Sequence, residues 1–321
     1  MNEYAFKFSP SLLDAFQTYL DCEANYEKFF GSTEEPSLTY AEYEELKFKE
    51  LIDKINRVPF ESEAASRGSC LNEIVDCIIM KTKSTREDIT VKTLSSFEKL
   101  CEMGAWDNVG NKPLAYERWF ETIKQPCIYA KNGSYEFYFD IAFCKSLADY
   151  FKDSLCQIYV EAPIETEYGT VLLYGYPDYV RGNMVYDLKT TSRYEFGKYS
   201  KYWQQHVYPY ALIKSGKVTD VRAFEFTAFA MKGGTARSPL IYGDMYPEVY
   251  VYDHRRSTEA LRGICGQFAE FLLNNKELIS DEKIFGGERK AQPIYDKEVE
   301  LEFQRYIEEK KSQIRKLINY K

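Results

Sequence analysis

Thr170-Val-Leu-Leu-Tyr-Gly-Tyr-Pro-Asp178, then Arg181-Gly-Asn183 and Met184-Val-Tyr-Asp187-Leu-Lys189-Thr-Thr191, is the stretch that decides the fold. The first segment runs apolar and aromatic up to Asp178. Arg181 to Asn183 supplies turn residues, and the last segment alternates. This is the pattern of a β-hairpin. Period-two geometry sends Asp187 and Lys189 to one sheet face and Leu188 to the other, into the core. Asp178, near the end of the partner strand, comes within cross-strand reach of Asp187. Two carboxylates that close repel unless a hard cation lies between them, and an oxygen-rich site suits Mg²⁺ or Mn²⁺. The competing reading is a hairpin aspartate plus a solvated Asp187–Lys189 surface pair, which would contribute well under ~1 kcal/mol.

Downstream, Gln204-Gln-His-Val-Tyr208 reads as helix, within a segment expected from Tyr199 to Lys214. Gln204 and Tyr208, four apart, share a helix face. A surface amphipathic helix is the alternative. His206 and His254 are the only histidines, have no ligand spacing between them and are assigned no role.

In order and at short spacing, Pro177-Asp178, Asp187-Leu188-Lys189 and the Gln204-to-Tyr208 motif of the form QxxxY resemble the PD-(D/E)XK nuclease superfamily, in particular its RecB-like exonuclease branch. Phe8-Ser9-Pro10-Ser11-Leu12-Leu13-Asp14-Ala15-Phe16 resembles the serine-rich opening of such nucleases. Arg67-Gly68-Ser69-Cys70-Leu71-Asn72-Glu73 resembles their first helical motif. The resemblance covers roughly residues 6 to 216. It implies a Mg²⁺- or Mn²⁺-dependent deoxyribonuclease using one or two ions. Asp178, Asp187 and the Leu188 carbonyl would be ligands, Lys189 would neutralise phosphate charge or orient water, and Gln204 and Tyr208 would complete the catalytic set. Relatives carry a histidine ligand where this chain has Asn72 followed by Glu73. Either could serve, but the two face different directions on a helix. The resemblance further implies DNA ends or single strands as partner, in recombination, repair or phage DNA metabolism. A helicase, recombinase or single-strand-binding protein is a candidate companion. The setting would be the cytoplasm of a bacterial cell or a phage-infected host. Two other functions compete: a catalytically silent nucleic-acid-binding or assembly subunit, and a restriction-type endonuclease, for which no base-reading element is identified.

The eight cysteines form no C-x-x-C pair, and Met-Asn-Glu-Tyr lacks a secretory apolar core, so reduced thiols are expected. Iron-sulfur relatives need three cysteines after the QxxxY helix, whereas only Cys265 follows it, so no cluster is expected. With 321 residues, 45% hydrophobic and 16% aromatic, the chain can bury a large core. No run approaches the ~20 apolar residues of a membrane span, and no membrane partner is expected.

A formal net charge of −8 sits poorly with nucleic acid, whose binders display basic surfaces. The charge is unevenly spread. Between Arg181 and Gly216 six Lys or Arg face two Asp or Glu, with Arg193, Lys198 and Lys201 interleaved among aromatics that include Tyr202. These four are the candidate nucleic-acid contacts.

The remaining expectations are coarse. Ser9 or Ser11 caps a helix through about Phe29. Thr39 and Glu42 form a capping box for Tyr40 to Ile55. A buried third helix follows Gly68. Cys127 to Phe139 makes a hairpin turning at Asn132-Gly133. A helix near Ile141 to Phe151 leads into a strand at Gln157 to Glu161. Strands lie near Val221 to Ala228 and Glu248 to Tyr252. Leu261, Ile264, Phe268 and Leu272 recur at helical spacing, and Glu298 to Asn319 forms a charged terminal helix. The expected organisation is a helical elaboration over 1–110, a nuclease core over 111–280 and a C-terminal helical segment over 281–321, making one compact unit. The expected fold is α/β: a mixed central sheet flanked by helices, a restriction-endonuclease-like core. Strands paired directly by hairpins argue against a doubly wound parallel sheet.

Overall fold

The computed structural model describes residues 4–33, 36–94, 126–235 and 238–286. Residues 1–286 make one unit, and 287–321 a second, which lies outside the described residues together with the expected Glu298 to Asn319 helix.

The fold is α/β. Eleven described strands make two sheets. The larger has the order β2-β3-β4-β11-β10-β9-β8-β5: Ile89–Leu94, Cys127–Asn132, Tyr135–Asp140, Leu240–Val251, Ala223–Lys232, Met184–Thr191, Tyr179–Arg181 and Leu155–Cys156. It is mixed, parallel at β4/β11 and β9/β10 and antiparallel elsewhere. The smaller sheet has the order β1-β7-β6: Phe6–Phe8, Gly169–Gly175 and Val160–Thr166.

The deciding hairpin is shorter than its hydrophobic pattern suggests. The strand from Gly169 to Gly175 leaves β9 and joins the small sheet, and only Tyr179 to Arg181 pairs with β9. Pro177 explains the break, because it cannot donate to a ladder and it restricts Tyr176 before it. Gly175 is needed at the crossing: a Cβ there would lie 2.8 Å from the Tyr208 ring. The turn itself is as expected, with Gly182 at φ +60°.

Seven helices are described: α1 Pro10–Leu20, α2 Cys22–Phe30, α3 Tyr40–Ile55, α4 Glu63–Met80, α5 Ile141–Tyr150, α6 Gln204–Lys214 and α7 His254–Asn274. The expected first helix is two, broken at Asp21. α3 has its capping box, with the Glu42 amide donating to Thr39 Oγ1 and Thr39 N donating to Glu42. α4 starts at Ser62 and carries Gly68 in its interior. A Cβ at Gly68 would come 2.8 Å from Thr190 Oγ1, so the glycine sets how closely α4 lies on β9. The strand expected from Gln157 begins instead at Val160, because Gln157 is left-handed at φ +49°.

The larger sheet is covered on both faces. Cys70, Leu71, Ile74 and Val75 of α4 and Cys144, Leu147 and Ala148 of α5 pack on Ile128, Phe139, Tyr179, Tyr186 and Leu188. Phe151 stacks on Tyr179 at 4.0 Å. On the other face, α6 runs beside β10 and the small sheet, buried nearly all round from Val207 to Leu212. Phe8, Phe16 and Phe268 join β1, α1 and α7, with ring centroids 4.7 Å apart in each pair with Phe268. The ends of the described unit meet: Gly286 N donates to the Ala5 carbonyl at 2.7 Å, and Phe6 bridges Phe285. No described helix is long and apolar enough to cross a membrane.

Candidate active site

β9 lies between β10 and the short β8, so its C-terminal half has one open edge. Asp187, 3% exposed, and Lys189 point to the α6 face, while Leu188 enters the opposite core. Lys189 Nζ lies 2.7 Å from Asp187 Oδ2, and Gln204 Nε2 donates to Asp187 Oδ1 at 2.6 Å. The Asp187–Lys189 pair is therefore buried, not a solvated surface pair.

Asp178 stands just ahead of β8. Because Tyr179 pairs with Tyr186, the register carries Asp178 opposite Asp187. There its carboxylate replaces the ladder that β8 no longer supplies: Leu188 N donates to Asp178 Oδ2 at 2.8 Å. A strand residue sends its N–H and C=O to the same side, so the Leu188 carbonyl faces the same open edge. Gln157 fixes Asp178 from the other flank, Nε2 donating to Oδ1 and its backbone N donating to the Asp178 carbonyl, both at 3.0 Å.

Electrostatics follow from burial. Burial, and then the Asp187 charge, raise the Asp178 carboxyl above its ordinary range, against the pull of Lys189 and the Leu188 N–H. Asp187 is raised by burial despite Lys189 and Gln204. Burial alone would lower Lys189, but Asp187, Asp178 and Asp14 hold it above its usual value, so it stays an ammonium. Without a metal, Lys189 is the cation that balances the acidic pair.

Two acids not expected from the sequence join them. Asp14, on α1, accepts from Trp203 N at 2.7 Å, just ahead of Gln204, and burial pushes it up to about 6. Asp76, on α4, is 5% exposed and is pushed by burial to about 7, with Tyr179 and Gln157 drawing it partly back. Asp14 was within the quoted serine-rich stretch, and Asp76 sits four residues after Asn72, but neither type nor spacing marked them.

α6 begins at Gln204, not Tyr199, because the backbone from Gly197 to Trp203 closes successive turns. It is a buried helix rather than a surface amphipathic one. Tyr208, 6% exposed, packs against Gly175 and Phe224, so it braces the site rather than meeting solvent. Burial raises its phenol, which stays neutral. His206 bonds Ser257 Oγ at 2.9 Å through Nδ1, a packing role.

α4 separates the two candidates that the sequence left open. Gly68, Asn72 and Asp76 repeat every four residues and share one face; Gly68 meets Thr190, and Asp76 lies beside Tyr179 and Gln157. Asn72 lies between them, its Oδ1 buried with no hydrogen-bond partner. Glu73 turns aside, accepting from Cys77 Sγ at 3.6 Å.

The expected nucleic-acid contacts divide. Arg193 and Lys198 are exposed, with Lys198 Nζ donating to Thr191 Oγ1 at 2.9 Å. Lys201 is paired with Asp21 at 2.7 Å. The Tyr202 ring lies 5.5 Å from Lys189 Nζ, inside the site. Their loop is pinned, with Tyr194 stacked on Tyr246 at 4.3 Å and Gly197 N donating to Glu248.

Among the described residues no three His, Cys, Asp or Glu side chains group as a metal site. The donors here are mixed: two carboxylates, a carbonyl and an amide. The two acids raised by burial, and the buried unpartnered Asn72 Oδ1 on α4, are oxygen donors of the kind a hard divalent ion takes. No family model matches the chain, and no curated protein matches it.

Proposed function

We propose that this chain is a Mg²⁺- or Mn²⁺-dependent nuclease of the PD-(D/E)XK superfamily, in its RecB-like exonuclease branch, hydrolysing phosphodiester bonds in DNA. The observation that carries this reading is the meeting of Asp178 and Asp187 at the open edge of β9, with Lys189 on Asp187 and Gln204 holding its other oxygen. A surface ion pair needs no such burial or bracing, and an assembly subunit needs no such set of acids.

Asp178, Asp187, the Leu188 carbonyl and a fourth donor from α4 would hold the ion; of the two left open, Asn72, with its buried unpartnered Oδ1, suits this better than Glu73, which accepts from Cys77. A divalent ion held there would supply Lewis-acid chemistry, polarising the scissile phosphate and lowering the pKa of an attacking water. Gln204 fixes the Asp187 carboxylate, and Gln157 and the Leu188 N–H fix that of Asp178. Lys189, whose ammonium lies 2.7 Å from Asp187 Oδ2, would neutralise charge developing on the phosphate or orient the water. Tyr208 is a positioning residue. Action on ends or single strands, a role in recombination, repair or phage DNA metabolism, and a cytoplasmic setting come with the family reading.

The test is digestion of end-labelled linear and covalently closed circular DNA with Mg²⁺ or Mn²⁺. Linear-only degradation, lost in Asp187→Ala and Lys189→Ala, is expected. Cleavage of circles would mark an endonuclease, and undiminished cleavage by both variants would remove the assignment.

A further inference from the structure

A groove runs between α1 and α3, lined by neither Arg193 nor Lys198. It opens into two adjoining cavities of about 190 and 230 Å³ that share Lys54. From Ser11 to Tyr19 it spans about 12 Å of helix. The residues facing it repeat at helical spacing on both walls.

Its charge is opposite to that of the chain as a whole. Lys7, Lys47, Lys54 and Arg57 line it against Glu50 and Asp281, an excess of two positive charges in a protein of net charge −8. Lys47 pairs with Glu50 and Arg57 with Asp281, while exposed Lys54, at the junction, is within ion-pair distance of no described carboxylate. The cations come from three separate elements: β1, α3 and the turn after α3. Tyr174 and Tyr19 supply aromatic edges at the two ends.

The groove also adjoins the acidic site. Asp14 projects from the same helix toward Trp203 and feels both Lys54 and Lys189, so α1 alone separates groove from site, and a helix is ~10 Å across.

We propose that the α1–α3 groove binds the phosphate backbone of a single nucleic-acid strand and leads it toward Lys189. A narrow basic channel with aromatic edges suits a single strand, which presents phosphates and unstacked bases together. The polarity of the path rests on the nuclease reading; the binding does not.

The test is anisotropy of a fluorescein-labelled oligothymidylate of about 15 nucleotides, in EDTA so that nothing is cleaved. Titrations at several salt concentrations compare wild type with the Lys47→Gln/Lys54→Gln double variant, after melting confirms that the variant folds. The expected result is roughly tenfold weaker binding, with the log–log salt slope reduced by about 1.4, the share of two phosphate contacts on a single strand. Unchanged affinity and slope would overturn the proposal. So would loss confined to a Lys198→Gln/Lys201→Gln variant, or stronger competition by duplex than by single strand. The two readings fail separately: absence of Mg²⁺- or Mn²⁺-dependent cleavage by the wild type, or cleavage undiminished in Asp187→Asn, with groove-dependent binding intact would sink the first and leave the second.

Discussion

Asp76 gives a pH dependence that a single substitution can isolate. Its folded carboxyl is raised to about 7 from an ordinary value of 3.8, so between those limits the native state holds a proton that the unfolded chain has released. Stability from this residue is therefore greatest at low pH, falls as pH rises through about 4 to 7 and then stays at the lower level, with a slope of up to ~1.4 kcal/mol per pH unit. Asp76→Asn cannot ionise. Its melting temperature relative to wild type is expected to rise from pH 5 to pH 8, and a gap constant across that range would contradict the burial argument. Gln204→Ala removes the donor to Asp187 Oδ1 at 2.6 Å, leaving a buried carboxylate less well oriented. About 10- to 100-fold loss of nuclease turnover is expected, with a higher metal concentration at half-maximal rate. That Asp178, Asp187 and Lys189 come together could be read from the sequence because strand alternation and a short turn bring them to one edge. Asp14 and Asp76 could not, since only the packing of α1 and α4 against the sheet brings them near.

At the scale of elements, local rules were readable where the local interaction decides. The Thr39–Glu42 capping box, the Gly133 turn and the apolar stripe of α7 need no distant partner. The Gly169–Gly175 strand misled because its apolar pattern says that it is buried, not which sheet buries it. β1 is three residues long and stable only through β7 and Phe285, so no periodicity could declare it. Buried nearly all round from Val207 to Leu212, α6 gives no amphipathic signal for its start. Two glycines measure the contacts between elements. Gly68→Val would drive a side chain into Thr190 Oγ1, 2.8 Å from a Cβ, and lift α4 from β9. A loss of about 1–3 kcal/mol in urea unfolding is expected, with reduced metal affinity because Asn72 rides on the same helix. Phe268→Ala, removing a fully buried ring between Phe8 and Phe16, should cost about 3–5 kcal/mol with the metal dependence of the remaining folded protein unchanged.

For the whole molecule, the proposed metal site would couple ion binding to protons. The Asp178 and Asp187 carboxyls are raised, so a divalent ion bound by them would displace protons and bind more tightly as pH rises. The increase in melting temperature produced by saturating Mn²⁺ is expected to be small near pH 5.5 and several degrees near pH 8. A shift independent of pH, or one retained in the Asp178→Asn/Asp187→Asn double variant, would place the ion elsewhere. Charge is likewise organised globally: the acidic excess keeps the surface negative while Lys54 and its neighbours keep one groove positive, an arrangement that favours weak, salt-sensitive engagement.

The hydrogen bond from Gly286 to Ala5 closes the described unit into something near a ring. A short glycine linker could join those two positions, and the Gly133-Ser134 turn, where a Cβ on Gly133 would meet nothing within 4 Å, offers a place to open new termini. Such a circular permutant should retain the melting behaviour of the parent, because no strand pairing or helix contact around Asp187 depends on where the backbone begins.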